Sequence, residues 1–151
     1  DRSRTNLKGS GATIGEARKA NSSLKKLNMY RCELVPEDAK GLAGGLAVNT
    51  ALTSCNVLQN SMDIATAEML VEAVKDKDIS LCGINPDQAE ANFRNWGLGP
   101  GDALLLASDL SKAGVSTALT HLDVSVNFLS DEGKSVVRQA VEGRAGFDLK
   151  L

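Results

Sequence analysis

The chain has one histidine. His121 stands two residues before Asp123 and four before Ser125. Residues i and i+2 of an extended strand share a face. An imidazole, a carboxylate that orients it and a hydroxyl would then line one edge, the set a hydrolytic nucleophile needs. No G-x-S-x-G or H-E-x-x-H signature accompanies them. The residues therefore read as a solvated cluster on a strand face, and the chain as non-catalytic.

Other candidates resolve in the same way. Gly9-Ser10-Gly11-Ala12-Thr13-Ile14-Gly15 has the glycine spacing of a nucleotide-binding loop. Such a loop needs a hydrophobic strand before it and a full helix after it. Only Asn6-Leu7-Lys8 precedes it, so no nucleotide or other cofactor is expected. Cys32, Cys55 and Cys82 are odd in number and form no C-x-x-C, against a disulfide framework or a zinc knuckle. Cys32 and Cys55 read as buried thiols, and Cys82 as the most exposed of the three. Asp76 and Asp78 alternate with Lys75 and Lys77, which suits a solvated turn, and no metal site is expected. Asn21-Ser22-Ser23 fits a glycosylation acceptor, which matters only in a secreted chain.

The elements that position these residues follow from an internal repeat. Asn21-Ser22-Ser23-Leu24 returns 28 residues later as Asn49-Thr50-Ala51-Leu52. Leu24, Leu27, Met29, Cys32 and Leu34 fit L-x-x-L-x-L-x-x-(N/C)-x-L. Leu52, Cys55, Val57, Asn60 and Met62 fit it again, as do Leu119, Leu122, Val124, Asn127 and Leu129. Behind each template runs an apolar stripe at i, i+3, i+4, i+7, one face of a helix. The stripes are Ala39, Leu42, Ala43, Leu46; Ala67, Leu70, Val71, Val74; and Ala103, Leu106, Ala107, Leu110. Each unit thus reads strand, turn, helix. One unit cannot bury its stripe alone, so units must stack.

These residues resemble the leucine-rich repeats, and the 28-residue unit resembles the ribonuclease-inhibitor-like class. The resemblance covers roughly residues 21 to 151. It implies an α/β solenoid, a short horseshoe with a parallel sheet on its concave face and helices on its convex face. Units are expected at about 21–48, 49–84 with an insertion, 85–115 and 116–142, with a capping strand at 146–151. Residues 1–20, with Leu7, Gly9, Ala12 and Ile14 as a poor fit and a helix over Glu16 to Ala20, read as a degenerate or truncated first unit.

The third unit is irregular. Gln88, Ala91, Phe93, Trp96 and Leu98 give its best register, leaving about eight extra residues. Leu81 to Asp87 is the simplest insertion, a loop by its Gly and Pro content, although Ile79-x-Leu81 is compatible with a short extended piece. Trp96 falls where Asn or Cys usually turns inward, which favours core over an interface anchor. In the fourth unit a helix is expected from Asp131 to Val141. Lys134 and Arg138 replace small residues there, which suits a terminal unit facing water. Phe147, Leu149 and Leu151 alternate with Asp148 and Lys150 as a last strand.

Strand residues between template positions would face the concave wall. The candidate partner-binding residues are Lys25, Lys26, Asn28, Tyr30, Arg31, Asn56, Leu58, Gln59, Asn92, Arg94, His121, Asp123 and Ser125. By analogy with the family they would bind a protein, with the inserted loop as a second binding element. A net charge of −2, a pI near 5.4 and isolated basic pairs disfavour direct nucleic-acid binding. The longest apolar run, Ala103 to Ala107, is far below the roughly 18–20 residues of a membrane span. Aromatics make up 3% of the chain, so the core must be aliphatic.

The reading is a non-catalytic protein–protein interaction module, a scaffold or peripheral subunit of a larger multi-subunit assembly, membrane-associated complexes included. The alternatives are a regulatory inhibitor or sensor domain cut from a longer chain and, last, a hydrolytic enzyme using His121. The opening Asp1-Arg2-Ser3-Arg4 is not a signal peptide and lacks Met, which suggests processing, tagging or a fragment. An intracellular location is favoured: cytoplasmic, or organellar such as the chloroplast if a targeting segment has been removed. The chloroplast enters because Leu81 to Gly101 loosely resembles repeat proteins of algal-type protists.

Overall fold

The computed structural model describes Gly9, Thr13, Ile14 and residues 22–151. The expected first unit at 1–20 and its helix lie otherwise outside the described residues. The chain is α/β. Its elements are β1 (Lys26–Asn28), α1 (Pro36–Val48), β2 (Ser54–Asn56), α2 (Ile64–Ala73), β3 (Glu90–Asn92), α3 (Pro100–Leu110), α4 (Ala113–Ser116), β4 (His121–Asp123), α5 (Ser130–Ala140) and β5 (Asp148–Lys150).

The strands form two parallel sheets, β1–β2 and β3–β4–β5. Lys26 pairs with Ser54, Glu90 with His121 and His121 with Asp148. Each helix packs on its successor: α1 on α2, α2 on α3 and α3 on α5. Between helices and sheets lies one aliphatic core. Leu42, Leu46, Leu70, Leu98, Leu106 and Leu122 are all fully buried. The stripes expected of α1 and α3 are buried throughout. In α2, Ala67, Leu70 and Val74 are buried and Val71 is half-buried.

The helices start where local chemistry starts them. Pro36 and Pro100 occupy first-turn positions, where no donor is lost. Two residues on, the Asp38 carboxylate accepts the N–H of Val35 and that of Asp102 the N–H of Gly99, at 3.0 and 2.9 Å. Asp63 caps α2 by accepting the Thr66 N–H. Helix α5 runs one residue earlier than the expected 131–141. Arg138 is exposed and Lys134 half-buried, as a helix with a wet face requires.

The irregular middle differs from expectation. Ile79, Ser80, Leu81, Cys82 and Ile84 are buried rather than looped out. Ser80 bridges to Ser54, and the N–H groups of Cys55 and Val57 donate to the carbonyls of Ser80 and Leu81. A new strand-like segment therefore starts at Ile79, before the 49–84 unit was expected to end. Apolar Ile79, Leu81 and Ile84 have more to gain from the core than from solvent. The helix row runs on past this segment because Gly101 sits against the Met62 carbonyl, too close for a Cβ.

Candidate functional site

The turns after the strands repeat in detail. Asn28, Asn56, Asn92 and Asp123, each the last residue of its strand, accept the backbone N–H two residues on, at 2.9 to 3.1 Å. These are Asx turns. Next comes a residue at positive φ: Arg31 at 54°, Gln59 at 56°, Asn95 at 57° and Val126 at 58°. Behind the turns, Asn60 and Asn127 tie neighbouring units together. Asn60 accepts from Cys32 and Leu34 and donates to the carbonyls of Met29 and Val57. Asn127 does the same for Trp96, Leu98, Phe93 and Val124.

The central residues Leu27, Cys55, Ala91, Leu122 and Leu149 belong to the core or pack on it. Their neighbours occupy the opposite strand face. Over β3–β5 this face is open and polar. Arg94 donates to Ser125 Oγ at 2.8 Å, and Ser125 donates its hydroxyl to Asp123 at 2.6 Å. Those bonds, with the charges of Arg94 and Lys150, hold the Asp123 carboxyl below its ordinary range. His121 Nδ1 lies 2.7 Å from Asp148 Oδ2 on the next strand. Asn92 is exposed beside them.

The expected His121–Asp123–Ser125 line is not assembled as a triad. The register sets His121 against Asp148. Ser125 spends its proton on Asp123, inside the Asx turn. Imidazole and hydroxyl thus engage different carboxylates.

Over β1–β2 the same face is partly covered. The extra segment comes back across it: Lys26 Nζ donates to Asn85 Oδ1 at 2.5 Å, and Gly83 packs on the Asn56 side chain. Lys25 and Asn28 stay exposed. Leu58 corrects the expectation. It is fully buried and so cannot serve as a contact residue; its turn lies beside the incoming segment, where Val57 bonds Leu81. Tyr30 packs on Trp96 with ring centroids 4.9 Å apart and planes tilted by 51°, and Trp96 meets Phe93 edge-on at 4.9 Å. Trp96 is half-buried in this aromatic group.

Arg31 and Gln59 instead line a cleft of ≈ 600 Å³ at the turn end, with Glu33, Ser61 and Gly97. Gly97 takes φ +73°, and a Cβ there would meet the Gln59 amide at 2.8 Å. Gln59 Oε1 is buried with no hydrogen-bond partner among the described residues.

Cys82, expected to be the most exposed thiol, is 2% exposed. Burial, then the nearby Asp109 and Asp102 carboxylates, raise its thiol well above the ordinary value, the opposite of an activated thiolate. Cys32 and Cys55 are buried as expected. The glycine loop lies outside the described residues apart from Gly9, Thr13 and Ile14. The Gly9 N–H donates to Asp38. Near the Asp76–Asp78 turn, Lys77 donates to the Asn49 carbonyl and Gly114 packs against Asp78. Among the described residues no group of three His, Cys, Asp or Glu is placed to hold a metal, and no helix is long and apolar enough to cross a membrane.

Three residues that sequence reasoning missed organise the site's supports. Asp109, wholly buried, accepts from Ser80 Oγ, Leu81 N–H and Cys82 N–H. Burial outweighs those bonds and raises its carboxyl to about 6. Asp102 also accepts the Gln59 N–H across the unit boundary, and burial raises it too. Arg144 donates to the carbonyls of Ser116 and Leu119 and stacks over Phe147. A signal for Asp102 was present: Pro36-x-Asp38 returns as Pro100-x-Asp102. No family model matches the chain, and no curated protein matches it.

Proposed function

We propose that the chain is a short solenoid of leucine-rich-repeat type that holds a protein partner on its strand face, chiefly over β3–β5. The four-fold recurrence of the Asx turn with its left-handed residue supports the repeat reading, because it recurs in units whose spacing varies. The observation that carries the binding reading is the polar surface of Asn92, Arg94, His121, Ser125 and Asp148; Asp123, expected as a contact residue, is buried and instead holds Ser125 from beneath. Arg94 is tied through Ser125 to Asp123, and His121 to Asp148, so these side chains have little rotamer freedom left to lose on binding. The module acts as a scaffold or peripheral subunit of a larger assembly.

A photo-crosslinking residue at Asn92, compared with one at Ser108 on the helix side, tests this in a gentle native extract of the source. Ser108 lines a groove of ≈ 540 Å³ with Val71, Leu104 and Val136. The reading expects crosslinks from position 92 to one protein that co-elutes with the chain. Crosslinks from 108 alone would move the site to the helices. No crosslink from either, with the chain eluting alone, would end the subunit reading.

A further inference from the structure

Helix α3 presents no charge to solvent. Its only charged residues, Asp102 and Asp109, are buried. From Gly101 to Leu110 only Leu104 and Ser108 reach the surface, and those in part. A helix with water on one side ordinarily puts charged residues there, as α2 does with Glu68 and Glu72 and α5 with Asp131, Glu132 and Arg138. Helix α3 instead lies at the bottom of the helix-side groove of ≈ 540 Å³, with Leu104, Ala107 and Ser108 as its floor. Val71 of α2 stands on one side and Val136 of α5 on the other. The two ends of the groove differ in charge. The strands are parallel, so the helices that return the chain between them run alike. Glu68 lines one end, from the first half of α2. Lys75 and Lys112, just past the C-terminal ends of α2 and α3, line the other. Lys112 is held there by the Val74 carbonyl at 2.7 Å, and Lys75 pairs with Glu72.

We infer that this groove docks one amphipathic helix of a protein partner, antiparallel to α3 and acidic in its first turn. The shape selects a helix. A second copy presenting the same face would set groove against groove and leave a void over α3, whereas interface cores pack as densely as interiors. A single helix is a ridge and fills such a groove. The floor from Leu104 to Ser111 is about two turns or 10 Å long. Apolar residues of the guest at i, i+3 or i+4 and i+7 would therefore reach Leu104, Val71 and Val136. The charges select the direction. Lys75 and Lys112 favour carboxylates beside them, and Glu68 favours a cation. The last turns of α2 and α3 lie at the lysine end, and their carbonyls carry the negative end of each helix dipole, so the positive N-terminus of the guest belongs there too. Both effects call for the same orientation. The strand face lies across the core from this groove, and a partner held there leaves the groove open.

Fluorescence polarisation of two labelled synthetic peptides against the whole 151-residue chain tests this. Both peptides carry an apolar stripe of Leu and Ala at helical spacing. One has Glu in its first turn and Lys in its last, and the other has the two exchanged. The first should bind saturably and at least ~tenfold tighter than the second. Glu68→Lys combined with Lys75→Glu should shrink that preference to within about twofold or reverse it. Ser108→Arg sets a charge on the floor and should abolish binding of both peptides, with circular dichroism unchanged and crosslinking from position 92 retained. If that variant unfolds, the exchanged charges decide alone. No saturable binding, equal binding of both peptides, or binding that survives Ser108→Arg overturns the inference. So does a concentration-dependent dimer that Ser108→Arg abolishes, which would give the groove to a second copy.

Discussion

Two joints of this molecule do one job with different chemistry. Between the first two units, and again between the last two strand-bearing units, a neutral amide makes the tie. Asn60 and Asn127 each accept two N–H groups from one turn and donate to carbonyls of both turns they join. In the middle, where the extra segment enters, carboxylates make the tie. Asp102 and Asp109 receive only donors: Gly99, Gln59, Ser80, Leu81 and Cys82. The partner set decides the residue. An amide serves where donors and acceptors are mixed, and an ionised carboxylate, which only accepts, where all partners donate. Burial raises the carboxyls of both Asp102 and Asp109, so the middle joint senses protons.

The regular joint breaks most expensively. Asn60→Ala leaves four buried backbone groups without their partner. An unsatisfied buried group costs about 1–3 kcal/mol, so partial relaxation still leaves an expected loss of about 3 kcal/mol or more. A urea midpoint far below that of the unmodified chain, with an unchanged slope, is the expected result.

The middle joint breaks less and by a different route. Asp109 titrates near 3.8 when unfolded and at about 6 when folded. Between those values the native state holds the extra proton. Its contribution to stability is therefore lost as pH rises from about 4 through about 6, by an amount on the order of 2–3 kcal/mol. Asp109→Asn should lose this slope, so that the difference between the two proteins changes with pH over that window. It should also cost about 1–2 kcal/mol at neutral pH, because its NH₂ must face a donor. Chemical denaturation at pH 4.5, 6 and 7.5 checks both. Parallel curves for the two proteins would show that Asp109 does not carry the slope.

The same contrast explains what was legible in the residues. The regular units announce themselves because their core positions and their Asn latch lie at fixed spacing, so Leu27, Cys55 and Leu122 and the stripes of α1 and α3 could be placed from the template. The middle could not be placed. Gly83 and Pro86 mark Leu81 to Asp87 as a loop, but Ile79, Leu81 and Ile84 have the hydrophobicity to take a place in the core, and only the three-dimensional gap beside β2 decides between the two. Leu58 and Cys82 were misassigned for that one reason, since both lie where this segment returns. Arg144 and Asp109 find their partners about 25 to 29 residues away, in positions that no template letter marks. At the candidate site the residue types on the strand face were readable. Their pairing was not, because His121 meets Asp148 through a strand register that no local spacing reveals.

The segment that corrupts the template also divides the strand face, and this gives the finest test of the comparison. Lys26 and Arg94 are exposed basic residues on the covered and open halves of that face, and their side chains hydrogen-bond Asn85 and Ser125. Surface pairs of this kind contribute little, so Lys26→Ala and Arg94→Ala should each change stability by less than ~1 kcal/mol. Their effects on a bound partner should separate. Removing Lys26 frees residues 83–85 on the half that the chain already covers, and co-elution with the partner should persist. Removing Arg94 releases Ser125 in the middle of the open half, and co-elution should weaken; where the guanidinium meets an acidic group, added salt should weaken binding of the unmodified chain and narrow its lead over the variant. Equal losses from both variants would mean that the partner displaces the segment and uses the whole face, and the division between covered and open halves would then be a property of the free chain alone.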